Sequence, residues 1–371
     1  MLKTAHFVLV AMTVVGLGCS QSDKTKPPSE TATAKQPKAE STAAKSPAES
    51  AKGKTPAVDT AKTKTLVVYS GRSAKLIEPL MKVFEAKTGI EVKIRFDKST
   101  QSLANRIAME GKTGEADLFL AQDSGYVGAL ARAGHLSLLP KDVLERVPAT
   151  FRGAKGHWVG TSGRARVLVY SPERVKVEDL PKNIEALTTG PWKGRIGWAP
   201  SNSSFQAHVS ALRTLWGEEK TKNWLKAMKA LAPKVYPKNS PQVKAVSAGE
   251  IDLGWVNHYY LHRLKAANPA LKAANYSFAV ENDPGNLLML SGAAITAHAK
   301  NRESALQLMR FLVSDEAQNY FAQKVYEYPT VPGIKTHPDV PPRSGGWAQV
   351  EQEALSDVAG TVKLLRELGL Q

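Results

Sequence analysis

The 371-residue chain holds one cysteine, Cys19. A single cysteine cannot close an internal disulfide, so no covalent cross-link within the chain supports the fold. The apolar run at residues 7–17 is too short to cross a bilayer comfortably. No nucleophile elbow, phosphate loop or spaced zinc-ligand set occurs. Ser162, Ser203 and Ser204 have no identifiable histidine and acid beside them, so an enzyme is not expected. Acidic residues are in the minority, with 34 Asp and Glu against 50 Lys and Arg and a formal charge of +16. That excess would suit nucleic acid. No RNA- or DNA-binding motif is present, however, and the basic residues are spread evenly along the body. A solvated basic surface facing anionic lipid or cell wall is expected instead.

What is present begins with a short positive start at Lys3, the apolar run, and then Gly18 and Cys19. Such a segment has the size of a signal-peptide core. With small Gly18 before it, Cys19 resembles the lipidated cysteine of a bacterial lipobox, although Gly16 stands where leucine is usual. Residues 1–19 therefore read as a lipoprotein-type signal and Cys19 as the lipidation site. Residues 20–64 are dominated by Lys, Ala, Thr, Ser, Pro and Glu. They carry too little apolar surface to offset the entropy of ordering. A tether is expected, holding a soluble body above a membrane.

From residue 65 strand and helix signals alternate. Residues 65–69 (TLVVY) form a β-rich run. Leu76, Ile77, Leu80, Met81 and Phe84 recur at helical spacing up to Thr88 and Gly89. Strands are expected at 90–96 and 116–120, with helices at 102–110 and 126–133. A second series has strands at 167–170, 195–199 and 251–256. Its helices fall at 205–216, at 220–231 and from about 259. A strand at 293–297 and helices at 303–312 and 315–325 follow. This alternation predicts a mostly parallel, helix-covered sheet. Its ligand site should lie at strand carboxyl ends, here residues 70–73 and 121–124. Two α/β units of similar size would leave a cleft between them, a common place for a small-molecule site.

Several runs are together specific. They are LVVYSGRS at 66–73, GEADLFL at 114–120, SGRARVLVY at 162–170, KGRIGW at 193–198, YPKNS at 236–240 and GEIDLGWVNHYY at 249–260. Asp283-Pro284-Gly285 and the segment 314–328, running into EYP at 327–329, complete the set. In order and extent, from 65 to about 333, the body resembles the bacterial ferric-ion-binding proteins, the transferrin-like branch of the type 2 periplasmic binding fold. The resemblance implies an α/β fold of two lobes with a ligand cleft and hinge. Residues 65–164 and 289–335 would form lobe 1, and 165–288 and 336–371 lobe 2. It also implies Fe(III) as cargo and an inner-membrane ABC permease with its ATPase as partners. The expected protein is a monomer, periplasmic or at the cell surface, that touches the membrane only through its lipid.

Within that resemblance Tyr259 and Tyr260 are the expected iron ligands. Ferric iron is a hard trication that prefers anionic oxygen, and it holds a phenol as phenolate below the usual pKa of about 10. Adjacent side chains on a helix point about 100° apart, but at a helix start opening into a cleft both can turn to one point. The chain departs from the family pattern elsewhere. Ser73 stands where some relatives have histidine, and Gln122, beside Asp123, where some have glutamate. Asn202, with Phe205 nearby, falls where a further tyrosine occurs in others. Carbonate or a similar synergistic anion is expected to fill the remaining coordination. Arg72 and Arg164 would balance its charge, and Asn202, Ser203 and Ser204 would hold it at a helix start. Asn239 and Asn257 match further anion contacts. Ordinary salt bridging for the arginines and plain N-capping for the 202–204 loop are the alternatives. His258 and His262 are expected to support the site or lie at the surface. The same fold could instead bind a small anion such as phosphonate, sulfate or a carboxylate without iron.

Overall fold

The computed structural model describes residues 64–97, 99–341 and 346–371. The chain divides into Met1–Val58 and Asp59–Gln371, and the description concerns the second unit. The expected signal, Cys19 and the tether up to residue 63 lie outside the described residues.

The first group of elements is β1 (Thr65–Ser70), α1 (Ala74–Thr88), β2 (Glu91–Phe96), α2 (Thr100–Glu110), β3 (Leu118–Ala121), α3 (Ser124–Arg132) and the short α4 (Lys141–Leu144). The long strand β4 (Val159–Tyr170) leads to β5 (Ile196–Trp198), α5 (Ser203–Trp216), α6 (Glu218–Ala230), β6 (Lys234–Val235) and α7 (Asn239–Ala248). After these come β7 (Leu253–Asn257), α8 (Tyr259–Ala267) and β8 (Ala274–Tyr276). The chain returns through β9 (Leu288–Ile295), α9 (Arg302–Leu312) and α10 (Asp315–Val325), and closes on α11 (Val358–Glu367). In α1 the expected residues Ile77, Leu80, Met81 and Phe84 are the buried stripe. Gly89 ends it at φ 68°, a left-handed cap that glycine adopts at little steric cost.

The strands run in the order β2-β1-β3-β9-β4-β7-β5-β6, with β8 also paired to β4. The mostly parallel sheet expected from the sequence is corrected here. Pairings β1–β2, β1–β3, β5–β6 and β5–β7 are parallel. Pairings β3–β9, β4–β7, β4–β8 and β4–β9 are antiparallel. The reason is the return of the chain: β9 re-enters the first group from the far end of the second and so runs against β3 and β4. These two central strands join the halves, and every residue of both is buried.

Alternation along β4 places Ser162, Arg164 and Arg166 on one face, and Gly163, Ala165 and Val167 on the other. Ala165, Val167 and Val169 pack into one apolar cluster, whereas Leu168 and Tyr170 join a second. Leu66, Val68, Phe84, Leu308 and Phe321 form a third under α1, α9 and α10. In the second, the rings of Trp198, Phe205, Trp224 and Trp255 meet edge-on at 5.2–5.7 Å. The polar face of β4 is thus an interruption in an otherwise apolar interior.

Candidate metal and anion site

The loops after β1 and β3 do converge, and they converge on β4. Arg72, 2 % exposed, donates from Nη2 to both carboxylate oxygens of Glu327 at 2.9 and 3.1 Å and from Nη1 to Ser291 Oγ at 2.5 Å. Ser162 Oγ donates to the same carboxylate at 2.5 Å, and Ser291 Oγ donates to the Gln122 carbonyl at 3.2 Å. Arg164 also donates to that carbonyl and to Asp123 Oδ1 at 2.7 Å. Its Nε is buried and makes no hydrogen bond among the described residues. Both arginines expected to hold an anion are therefore in ion pairs, as the salt-bridge alternative has it, Arg72 with buried Glu327 and Arg164 with half-buried Asp123. Ser73 is exposed.

The remaining anion residues gather around a different guanidinium. Arg166, 1 % exposed, donates from Nη1 to Asn257 Oδ1 at 2.9 Å and to Ser204 Oγ and Asn239 Oδ1 at 3.2 Å. Its Nη2 donates to the Trp255 carbonyl at 2.9 Å. Asn202 is the N-cap of α5, accepting from Ser204 N–H at 3.1 Å, and it also receives Asn239 Nδ2 at 3.3 Å. Ser203 is exposed on the first turn. Sequence reasoning missed Arg166, yet the signal existed: in SGRARVLVY it lies two residues from Arg164, hence on the same strand face. Glu327 was also missed. Nothing local marks the acid of EYP as the buried partner of a residue 255 positions earlier.

Tyr259 and Tyr260 open α8 at the end of β7. Tyr259 is buried and Tyr260 half-buried. Their rings stack at 4.3 Å with 29° between planes, so the start of the helix does turn adjacent side chains together. Burial, then the neighbouring Tyr260, pushes the Tyr259 phenol far above its ordinary pKa; Arg164 pulls the other way and Glu327 adds to the rise. Burial pulls Arg166 down to about 9, against the two tyrosines, which favour its charge. It remains cationic at neutral pH. The phenols, Arg164, Arg166 and Glu327 thus share one electrostatic neighbourhood.

His258 and His262 stay within the protein's own network. His258 bonds through both ring nitrogens, to Ala165 N–H at 3.1 Å and the Tyr326 carbonyl at 2.7 Å. His262 Nε2 lies 3.2 Å from Asn275 Nδ2, and burial pulls it down to about 4, so it is neutral. Among the described residues no three His, Cys, Asp or Glu side chains cluster as metal ligands.

Residues 115–351 match the family model of the bacterial extracellular solute-binding proteins. The chain is 33 % identical over 322 residues to the major ferric iron-binding protein of Neisseria meningitidis, covering 84 % of this chain and 96 % of that one. It is 31 % identical over 308 residues to the Fe(3+)-binding periplasmic protein of Serratia marcescens, covering 82 % and 90 %. Among solved structures, iron-bound HitA from Pseudomonas aeruginosa superimposes with a TM-score of 0.76 at 33 % identity, covering 83 % of this chain and all of HitA. The two-lobed α/β architecture of the type 2 periplasmic binding fold, expected from the sequence, is the one observed. On the order of its motifs, its sheet and these likenesses, the chain belongs to the bacterial periplasmic ferric-ion-binding protein family.

Proposed function

We propose that this protein captures ferric iron with the phenolates of Tyr259 and Tyr260 and delivers it to an inner-membrane ABC permease driven by its ATPase. The observation that carries the reading is the stacked tyrosine pair, at 4.3 Å, on the first turn of α8. Two phenolates leave a ferric ion with one formal positive charge and most of an octahedron to fill. A synergistic anion such as carbonate completes it, and a dianion brings the site to minus one. Arg166 with Ser204, Asn239, Asn257 and the Asn202–Ser203 helix start is the natural cradle, as helix N-termini and guanidinium groups both favour anions. A related protein from Trichodesmium has been solved with iron and citrate, which supports an exogenous anion here. Arg72 and Arg164 act from the opposite wall. Arg164 shares its charge between Asp123 and the site. The protein works at the periplasmic or cell surface, held by lipid on Cys19. Cys19→Ser should release it from the membrane fraction, and wild type with a different mature start would refute the anchor.

Purified protein titrated with ferric citrate, with and without bicarbonate, tests the cargo. A visible phenolate-to-iron band that strengthens with bicarbonate is expected. The phenols must lose protons to bind, so affinity should fall as pH falls, about a hundredfold per unit if both are protonated when metal-free. The anion cluster also favours a second reading, a metal-free binder of phosphonate, sulfate or a carboxylate. That protein would stay colourless and bind its anion without iron.

A further inference from the structure

The registers of β4 and β7 point to an unassigned role for His258. The two strands pair antiparallel with Arg166 opposite Asn257 and Val167 opposite Val256. One step further, Ala165 faces His258. A continuing ladder would have these two exchange both N–H···O bonds. One is made, from His258 N–H to the Ala165 carbonyl at 3.0 Å. The other is not, because His258 already has helical angles, φ −55° and ψ −42°, and its carbonyl turns into α8. That carbonyl is taken by Asn275 Nδ2 at 2.9 Å. The Ala165 N–H, buried in the centre of the sheet, would lose its acceptor. The imidazole replaces it: Nδ1 accepts from Ala165 N–H at 3.1 Å.

This bond fixes the tautomer, so the proton is on Nε2, which donates to the Tyr326 carbonyl at 2.7 Å. Tyr326 stands just before Glu327, the partner of Arg72. Tyr328 in turn pairs with Gly163 on the same edge of β4. Along that edge the partner of β4 changes from the 326–328 turn to β7, and His258 occupies the change. It is covalently next to Tyr259 and hydrogen-bonded to the residue before Glu327.

We propose that His258 is a positioning residue that ties the tyrosine pair to the turn carrying Glu327, so that one ring sets the distance between the iron phenolates and the Arg72–Glu327 pair. This rests on Tyr259 and Tyr260 being the iron ligands. Two conservative variants separate its two bonds. His258→Asn keeps an acceptor for Ala165 N–H but falls short of Tyr326. His258→Gln reaches Tyr326 with an N–H but abandons the Nδ1 position.

Both are titrated with ferric citrate in bicarbonate, reading the position of the visible band and the iron dissociation rate, with thermal unfolding of the metal-free protein alongside. The Asn variant should unfold near wild type, yet release iron about 10- to 100-fold faster with a shifted band, the range known for groups that orient metal ligands. The Gln variant should lose stability and keep a band close to wild type. Equal bands and release rates in wild type and the Asn variant would overturn the proposal, as would a shifted band in the Gln variant alone. No band in wild type would instead overturn the iron reading itself.

Discussion

The two walls of the site treat buried arginine in opposite ways. On the β1–β3 side Arg72 lies against Glu327 and Arg164 against Asp123, so each guanidinium has a carboxylate partner. On the β7 side Arg166 is held by Ser204, Asn239, Asn257 and a carbonyl, beside the stacked rings of Tyr259 and Tyr260. The first arrangement balances its charge within the protein. On the proposed function the second would change when iron binds, because deprotonated phenolates would bring anions to a cationic neighbour. On that reading rigidity and responsiveness are divided between the halves of one sheet, with β4 carrying residues of both.

The contrast breaks most visibly at Glu327. Glu327→Gln leaves the charge of Arg72 in a site where both side chains are 1 % exposed. Removing one member of a buried pair costs about 3–5 kcal/mol, read as a lower urea midpoint of the metal-free protein. Replacing both, as Arg72→Met with Glu327→Leu, should recover much of it. A single variant as stable as wild type would show that the pair is not a permanent fixture of its wall.

A smaller change sharpens the other side. Arg166→Lys keeps the charge but cannot span the four oxygens that the planar guanidinium reaches. Ferric affinity in bicarbonate should fall ten- to a hundredfold, about 1.4–2.8 kcal/mol, and lose its dependence on bicarbonate. Unchanged dependence would move the anion away from Arg166. The smallest effect is expected at Arg164, shared between Asp123 and the site. Arg164→Ala should weaken iron about tenfold, about 1.4 kcal/mol, and shift the visible band. An unchanged affinity and band would assign Arg164 to Asp123 alone.

The sequence carried the helices well because their apolar stripes repeat at 3.6 residues, as Ile77 to Phe84 do, and because Asn202 and Gly89 mark helix ends. It carried the tyrosine pair through the NHYY run and its framework. It did not reveal the first half of β4, since residues 159–166 are glycine, serine, threonine and arginine apart from one valine and one alanine. Ser162, Arg164 and Arg166 share the polar face of β4, and glycine or alanine stands between them, so the alternation of large apolar residues that marks a strand is missing there. Direction was also hidden: β9 reads as a buried strand either way, and only the path of the chain makes it antiparallel. Arg166 was legible from two-residue spacing. Glu327 was not, because its meaning lies in a partner that only folding brings near.

The most direct measurement compares ferric titrations of wild type and the Tyr259→Phe/Tyr260→Phe double variant, followed by visible absorption and by protons released. Wild type should develop the band and release up to two protons per iron. The double variant should fold, show no band and bind at least a hundredfold more weakly, about 2.8 kcal/mol. A band of undiminished strength in the double variant would contradict the assignment of iron to the tyrosine pair.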